Sequence, residues 1–395
     1  SILSGFGLDR WLERKDQGLR IISVVVTGLF VAVWVVVLLV RPEIVSVRNL
    51  LYTTGGLGAF LVLFMAGAVL PKKKTLIALL FLFVTIFDLF YFFQKFNPFI
   101  PKDLVFPNAA VLTYLQEQAG INRFWGYGVA SIESNFATKY KLFSPDGYDP
   151  LYPKRYGELI PSSNNGKILT DFTNQTRSDA AITPGFGEMD LPSNVYRLKI
   201  LDLLGVKYIL DRVENGSTEK TFPQDRFRLI YEQDGWRVFE NLKAAPRAFL
   251  TTNYQTFRTK EEFEELFFSK EFNPGETVLL EEEPERSLNV SKHLSETKVV
   301  SYAPNEVRLI TNTDGNQLLF LSDTYYPGWK AFVDRQETKI YRANYAFRSI
   351  VVPKGEHTIE FRYEPESFSL GMKTTIISVV LVMLLSFYLG RKKHA

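Results

Sequence analysis

Over 395 residues the chain carries 46 basic and 43 acidic side chains, a formal net charge of +3, and no cysteine. That near-balance, with no Lys/Arg-rich stripe in the middle region, speaks against a nucleic-acid partner. The missing thiols exclude disulfides, thiolate nucleophiles and Cys-ligated zinc, and the 3 histidines, His293, His357 and His394, form no HxxxH pair, so no metal site is expected.

The length allows more than one globular unit, because single cores stop growing beyond about 250–300 residues. The chain opens at Ser1 with no secretory leader pattern and reads as a piece of something longer. Residues 6–19 interleave Phe6, Leu8, Trp11 and Leu12 with Asp9, Arg10, Glu13, Arg14 and Lys15, which suits a surface-lying amphipathic helix or a plain connecting helix. Crossing a bilayer takes about 20 apolar residues in a helix. Ile21–Val40, Leu50–Leu70, Thr75–Phe93 and the shorter Thr374–Gly390 meet that need. Basic residues stay cytoplasmic. Arg10, Arg14, Lys15 and Arg20, then Lys72–Lys74, then Arg391–Lys393 fall on one side if the helices alternate, which places the middle of the chain outside. Gly55, Gly56, Gly58 and Ala59 would let a neighbouring helix approach closely. Asp88, inside the third apolar stretch, either lines a site or reaches the headgroups.

Pro98, Pro101 and Pro107 break the third helix; Asn108–Gln118 has helical spacing and Gly120 stops it. A loop-rich stretch follows to about Asn194, then helix at Tyr196–Leu204 and strand at Lys207–Leu210. Strands are expected at Arg226–Tyr231, Trp236–Glu240, Ala248–Thr252 and Thr277–Leu280, with a helix at Lys260–Ser269. The acidic run Glu281–Glu285 reads as a solvated linker. Beyond it, strands of period two are expected at Thr297–Tyr302, Val307–Thr311, Leu318–Ser322, Lys330–Asp334, Thr338–Tyr341, Ala346–Val352 and Thr358–Tyr363, punctuated by Gly and Pro turns, the pattern of an antiparallel sandwich.

Chemistry concentrates in two places. The proline-rich segment Ser144–Tyr156 supplies Asp146, Tyr148, Asp149, Tyr152 and Arg155, groups that hold polar sugars in loops, although a stiffened loop packing on its own domain explains the same residues. Asp323–Lys330 and Tyr341–Arg348 supply Tyr325, Trp329, Arg342, Asn344 and Arg348, an aromatic ligand face or the filling of a sandwich core. Asn174, Asn215 and Asn289 begin glycosylation sequons, a pattern frequent by chance. No Walker loop, GxSxG elbow or dinucleotide GxGxxG is present; Gly126-Tyr-Gly128 stops short of the last.

The phrases Asp88-Leu-Phe to Phe96-Asn-Pro98, Leu203-Leu-Gly-Val-Lys-Tyr208, Tyr325-Tyr-Pro-Gly-Trp-Lys330, Tyr341–Arg348 and Phe361-Arg-Tyr-Glu-Pro365 together resemble the bacterial YfhO-like membrane proteins. The resemblance implies a GT-C type membrane glycosyltransferase that takes sugar from a polyprenyl-phosphate donor and passes it to a cell-envelope glycan or polymer outside the membrane. It transfers no catalytic residue, because in such enzymes the acidic residue belongs to a first outer loop with no counterpart here. The chain is then the C-terminal portion of the enzyme and inactive alone; a non-catalytic envelope module binding glycan or protein is the rival. The expected fold is a multi-domain plasma-membrane protein. Its parts are a cytoplasmic or interfacial segment (1–20), three transmembrane helices (21–96), an extracytoplasmic α+β domain (97–280), an extracytoplasmic β-sandwich (281–371), a transmembrane helix (372–390) and a cytoplasmic tail (391–395). Donor sugar, acceptor, oligomeric state and metal dependence are not legible.

Overall fold

The computed structural model describes residues 17–40, 44–97, 101–102, 106, 108–172, 179–289 and 295–392. Residues 6–16 of the expected surface segment, Arg41, Pro98, Pro107, Asn174, His293, Lys393 and His394 lie outside them. The chain divides into two units, Ser1–Pro107 and Asn108–Ala395.

The first unit is built from α1 (Gln17–Val40), α2 (Ile44–Val69) and α3 (Lys74–Phe96), the last two joined by a tight turn at Pro71–Lys73. Leu29, Val36, Leu79, Phe87 and Phe90 are each more than half exposed. Side chains of that kind pointing outward along a whole helix fit a lipid solvent, where the backbone satisfies itself and apolar surface costs nothing. Among the described residues three helices are long and apolar enough to cross a membrane, over Leu50–Gly67, Lys74–Phe96 and Glu366–Phe387; α1 presents the shorter apolar stretch Thr27–Leu39. Trp34 Nε1 of α1 donates to Thr54 Oγ1 of α2 at 2.8 Å, and within α2 Thr54 donates to the Leu50 carbonyl at 2.6 Å. Among the described residues, a Cβ at Gly55, Gly56 or Gly58 would meet nothing within 4 Å.

The second unit begins with α4 (Ala110–Gln118), which lays Val111, Leu112 and Leu115 against a four-stranded sheet. That sheet has the order β1-β2-β4-β3, from β1 (Arg123–Gly126), β2 (Val206–Arg212), β3 (Phe227–Gln233) and β4 (Trp236–Asn241). β1 runs parallel to β2, and the crossover between them carries α5 (Lys154–Leu159) and α6 (Val195–Leu203). β1 was expected as loop: four consecutive buried residues offer no alternation, and its partner lies some eighty positions away.

The remaining strands are β5 (Ala248–Thr251), β6 (Asn253–Thr256), β7 (Thr277–Leu280), β8 (Glu296–Ala303), β9 (Glu306–Thr313), β10 (Gln317–Thr324), β11 (Trp329–Val333), β12 (Gln336–Thr338), β13 (Tyr341–Ala343), β14 (Phe347–Val352) and β15 (Gly355–Tyr363), with α7 (Lys260–Phe267) between β6 and β7. They form a five-stranded sheet, β8-β9-β15-β11-β12, and a six-stranded sheet, β5-β10-β14-β13-β7-β6. The two share a core of Val307, Leu309, Leu319, Leu321, Ala331, Ile350, Val352, Ile359 and Phe361.

The boundary expected at 280/281 is crossed by this second sheet. β5 pairs with β10, and β7 touches β13 through Leu280 and Ala343, so β5, β6 and β7 belong to the same sheet as β10, β13 and β14. The reason is burial on both faces. The other side of the six-stranded sheet, with Phe249, Leu318, Phe320, Tyr341 and Phe347, packs into a core shared with Trp125, Leu159, Phe263 and Phe267. Strands covered on both sides need no alternation, and β14 is buried at all six positions, whereas β9 alternates because one of its faces meets water. The strand expected at Thr338–Tyr341 divides likewise, with Thr338 ending β12 in one sheet and Tyr341 opening β13 in the other.

The acidic run is held in place. Glu281 binds Arg155 at 2.7 Å and Arg342 at 3.1 Å, Lys339 binds Glu282 and Glu285 at 2.8 and 3.2 Å, and the Glu285 N–H donates to Tyr341 at 3.0 Å. Two residues after Glu364, α8 (Glu366–Lys392) carries the last apolar stretch, with no side chain of its span buried; Thr374, Thr375 and Ser378 return their hydroxyls to the carbonyls four residues back.

Candidate functional site

A cleft of about 490 Å³ opens at one end of the two-sheet core. One wall is the proline-rich loop, the other is the sheet, and β1 brings Arg123 to its floor. The loop is braced from within. Tyr156 donates to the Pro145 carbonyl at 2.5 Å, Leu151 N–H to Asp149 Oδ1 at 2.7 Å, and the Asn135 side chain spans the Tyr148 backbone at 2.7 and 3.1 Å. A Cβ at Gly157 would lie 2.1 Å from the Tyr152 ring, so glycine is what lets that ring lie against α5.

The sheet wall is organised around one carboxylate. A bulge after Leu321 disturbs the alternation of β10 where Ser322 and Asp323 reach the cleft. Asp323 is met by Arg123 at 3.3 Å, Arg247 at 2.9 Å and Arg348 at 3.3 Å, all four being buried, and Tyr302 donates to it at 2.9 Å. Burial by itself would raise the Asp323 carboxyl, but Arg247, Arg123 and Arg348 outweigh it and hold the group below its ordinary value. Burial and the neighbouring Arg247 pull Arg123 down to about 10, and burial with the Asp323 charge pushes Tyr302 up to about 12. Three guanidiniums against one carboxylate leave the floor positive at neutral pH. Arg348 is sandwiched between Trp329 (3.9 Å to the ring centre) and Phe361 (5.1 Å), and among the described residues its Nε and Nη1 have no hydrogen-bond acceptor. Those two nitrogens are closed off from solvent, so Arg348 contributes positive charge to the cleft wall, and Trp329 beside it offers ring surface to a ligand.

Across from it, Asp146 accepts the Ile182 N–H at 2.8 Å. Burial lifts its carboxyl to about 7 despite that bond, and Asp179 adds to the rise. A carboxyl that trades its proton near neutrality beside an open cleft is suited to bind or relay a hydroxyl proton. In the unfolded chain the same group titrates near 3.8, so between the two values the folded form holds the extra proton. Its contribution is fully present below the lower value and is lost as pH rises through about 7. Asp146→Asn is expected to flatten this part of the pH–stability profile, read as the denaturant midpoint across about pH 4–8; an unaltered slope would show that Asp146 does not titrate there.

Of the residues singled out by sequence, Asp146, Tyr148, Asp149, Tyr152, Trp329 and Arg348 line this cleft. Tyr325, Arg155 and Arg342 do not; Arg155 lies over the Tyr345 ring at 4.5 Å and Arg342 over Tyr325 at 4.6 Å, both tied to Glu281. Asn344 is fully buried and structural. Its backbone N–H donates to the Leu279 carbonyl at 2.7 Å and its Oδ1 accepts the Leu279 N–H at 2.7 Å, extending the sheet where β13 ends. Asp88, in the first unit, accepts a hydrogen bond from Tyr52 at 3.1 Å, and Tyr52 stacks on Tyr91 at 4.6 Å, so the carboxylate has a partner between helices. The cleft residues that sequence reasoning passed over are Arg123, Tyr302 and Asp323. Asp323 opens the aromatic segment Asp323–Lys330, but Arg123 and Tyr302 carry no local signal. Among the described residues no group of three or more His, Asp or Glu side chains converges as a metal site.

Residues 278–375 match the family model described as bacterial membrane protein YfhO. The uncharacterized protein YfhO of Bacillus subtilis (strain 168) is 31% identical over 94 residues, which is 24% of this chain and 11% of that protein. The chain thus matches only a small part of its relative's length. No solved structure matches significantly. The matched interval runs from β7 into α8 and contributes Asp323, Trp329 and Arg348 to the cleft; Arg123 and the 144–156 loop come from outside it.

Proposed function

We propose that this YfhO-like membrane protein forms the outer, acceptor-facing portion of a polyprenyl-phosphate-sugar-dependent glycosyltransferase of the bacterial plasma membrane, acting on a cell-envelope glycan or polymer. The observation that carries the reading is the cleft itself. Its volume of about 490 Å³ falls within the range of small-ligand sites. Aromatic faces at Tyr148, Tyr152 and Trp329 stand beside Asp146, Asp149 and Arg348, the pairing of flat apolar surface with hydrogen-bonding groups that a sugar ring requires. In this reading the cleft orients the acceptor hydroxyl, a contribution through positioning, while the donor is activated elsewhere in the enzyme.

The reading also places Asn108–Tyr363 outside the membrane and the end of α8 in the cytoplasm, following the cationic flanks. Because the chain has no cysteine, single-cysteine labelling tests this directly. A membrane-impermeant thiol reagent applied to intact cells should modify Glu356→Cys; protection of that site until the cells are opened would invert the topology.

For the activity, the full-length protein in its native membranes would be given a labelled polyprenyl-phosphate sugar and envelope acceptor. Trp329→Ala and Tyr152→Ala are each expected to raise the acceptor KM about tenfold, the loss of roughly 1.4 kcal/mol of stacking. The donor KM should stay put. Sugar transfer with an unaltered acceptor KM in both variants would remove the cleft from the reaction.

A further inference from the structure

The β-sheets and the last membrane helix are joined without slack. Tyr363 closes β15 and Glu366 opens α8. Between them the Glu364 N–H donates to the Gly328 carbonyl at 2.7 Å, and the Tyr363 N–H to the Asn305 carbonyl at 2.9 Å. Gly328 has φ +100, and a Cβ there would stand 3.0 Å from Pro365 Cβ and 3.1 Å from the Tyr363 ring. Only glycine allows the turn at 325–329 to close so tightly on the helix junction. Lys330 adds an ion pair to Glu364 at 3.8 Å.

An aromatic cluster surrounds that junction. Trp329 lies 5.4 Å and Tyr326 6.3 Å from the Tyr363 ring, and Tyr326 is 46% exposed. Trp329 belongs to both structures, since it also covers Arg348 in the cleft.

We infer that Tyr326, Trp329 and Tyr363 form an interfacial seat, resting on the lipid headgroup layer and fixing the height of the cleft above the bilayer. Tyr and Trp are amphipathic and favour that layer. The uninterrupted apolar stretch of α8 starts after Lys373, whose long side chain carries its charge to the interface. From Glu366 to Lys373 the helix rises about 10 Å, and the headgroup region of one leaflet is roughly 5–8 Å deep. An upright helix thus carries the junction about 2–5 Å beyond the headgroups, a gap that the length of a tyrosine or tryptophan side chain spans. β15 leads away from it, so that Gly355, at the strand's other end, is about 26 Å along the strand from Tyr363. The seat goes beyond the glycosyltransferase reading, and a depth measurement tests it independently of any activity.

Single cysteines in place of Tyr326, Leu370 and Glu356 would carry a fluorophore, with the chain reconstituted in phosphatidylcholine vesicles containing a headgroup-spin-labelled quencher lipid. The label at 370 should be quenched strongly, the label at 326 to within about twofold of it, and the label at 356 scarcely. Two glycines inserted after Glu364, or Gly328→Val, should reduce quenching at 326 and leave 370 unaltered. A label at 326 as unquenched as the one at 356 would overturn the seat. Quenching at 326 that ignores the glycine insertion would overturn the role of the junction.

Discussion

Asp323→Ala is expected to destabilise the second unit by about 3–5 kcal/mol, the cost of leaving buried charge without its partner. Arg123, Arg247 and Arg348 would then face one another with no carboxylate between them. The cluster also ties distant parts together: Arg123 comes from β1, Arg247 precedes β5, and Arg348 lies on β14. Denaturant unfolding of the chain in detergent, followed by tryptophan fluorescence, gives the loss directly. A second substitution, Arg348→Met, should recover part of it by removing one of the stranded charges, whereas independent sites would simply add. A loss below about 1 kcal/mol for Asp323→Ala would mean that the arginines are already neutralised by other means. The acid side supplies a further check. Asp323 titrates below its ordinary 3.8 in the folded chain, so its contribution is present above that value and disappears only as pH falls through the lower, folded one.

Asn344→Ala is expected to cost about 2–4 kcal/mol, from the lost acceptor for the buried Leu279 N–H and from placing alanine in a left-handed conformation. Asn344 has φ 43 and is followed by Tyr345 at φ 74, a pair that turns the chain between β13 and β14. Tyr345 tolerates this conformation because its ring packs on Phe263 at 5.2 Å and its hydroxyl donates to the buried Glu158 at 2.5 Å. Asn344→Gly removes the same acceptor without the backbone strain, so it should be milder than Asn344→Ala by about 1 kcal/mol. Unfolding midpoints of both variants separate this structural role from a ligand contact. Equal stability to the parent in both, with glycan binding lost, would return Asn344 to the binding surface.

Much of the molecule was legible because some forces act locally. Exposure to lipid leaves long apolar runs, and exposure of one sheet face to water leaves alternation, so the membrane stretches and strands such as β9 and β15 could be placed within a few residues. β1 could not, since four buried residues have no period, nor could the allegiance of residues 248–280, which look the same whichever sheet they join. Glu281 read as solvated from its neighbours' charges, yet two arginines from sites far along the chain hold it.

Sequence by itself determined that this is a membrane protein with long apolar helices and a β-rich part, because transfer into lipid or water is settled by each segment's own side chains. Tertiary structure alone decided where the cleft lies. Arg123 and Asp323 are 200 positions apart and meet only because one sheet is buried on both faces, pressing the α/β layer and the 144–156 loop against the end of the two-sheet core. That meeting depends on how elements stack, which no local pattern of hydrophobicity or charge encodes.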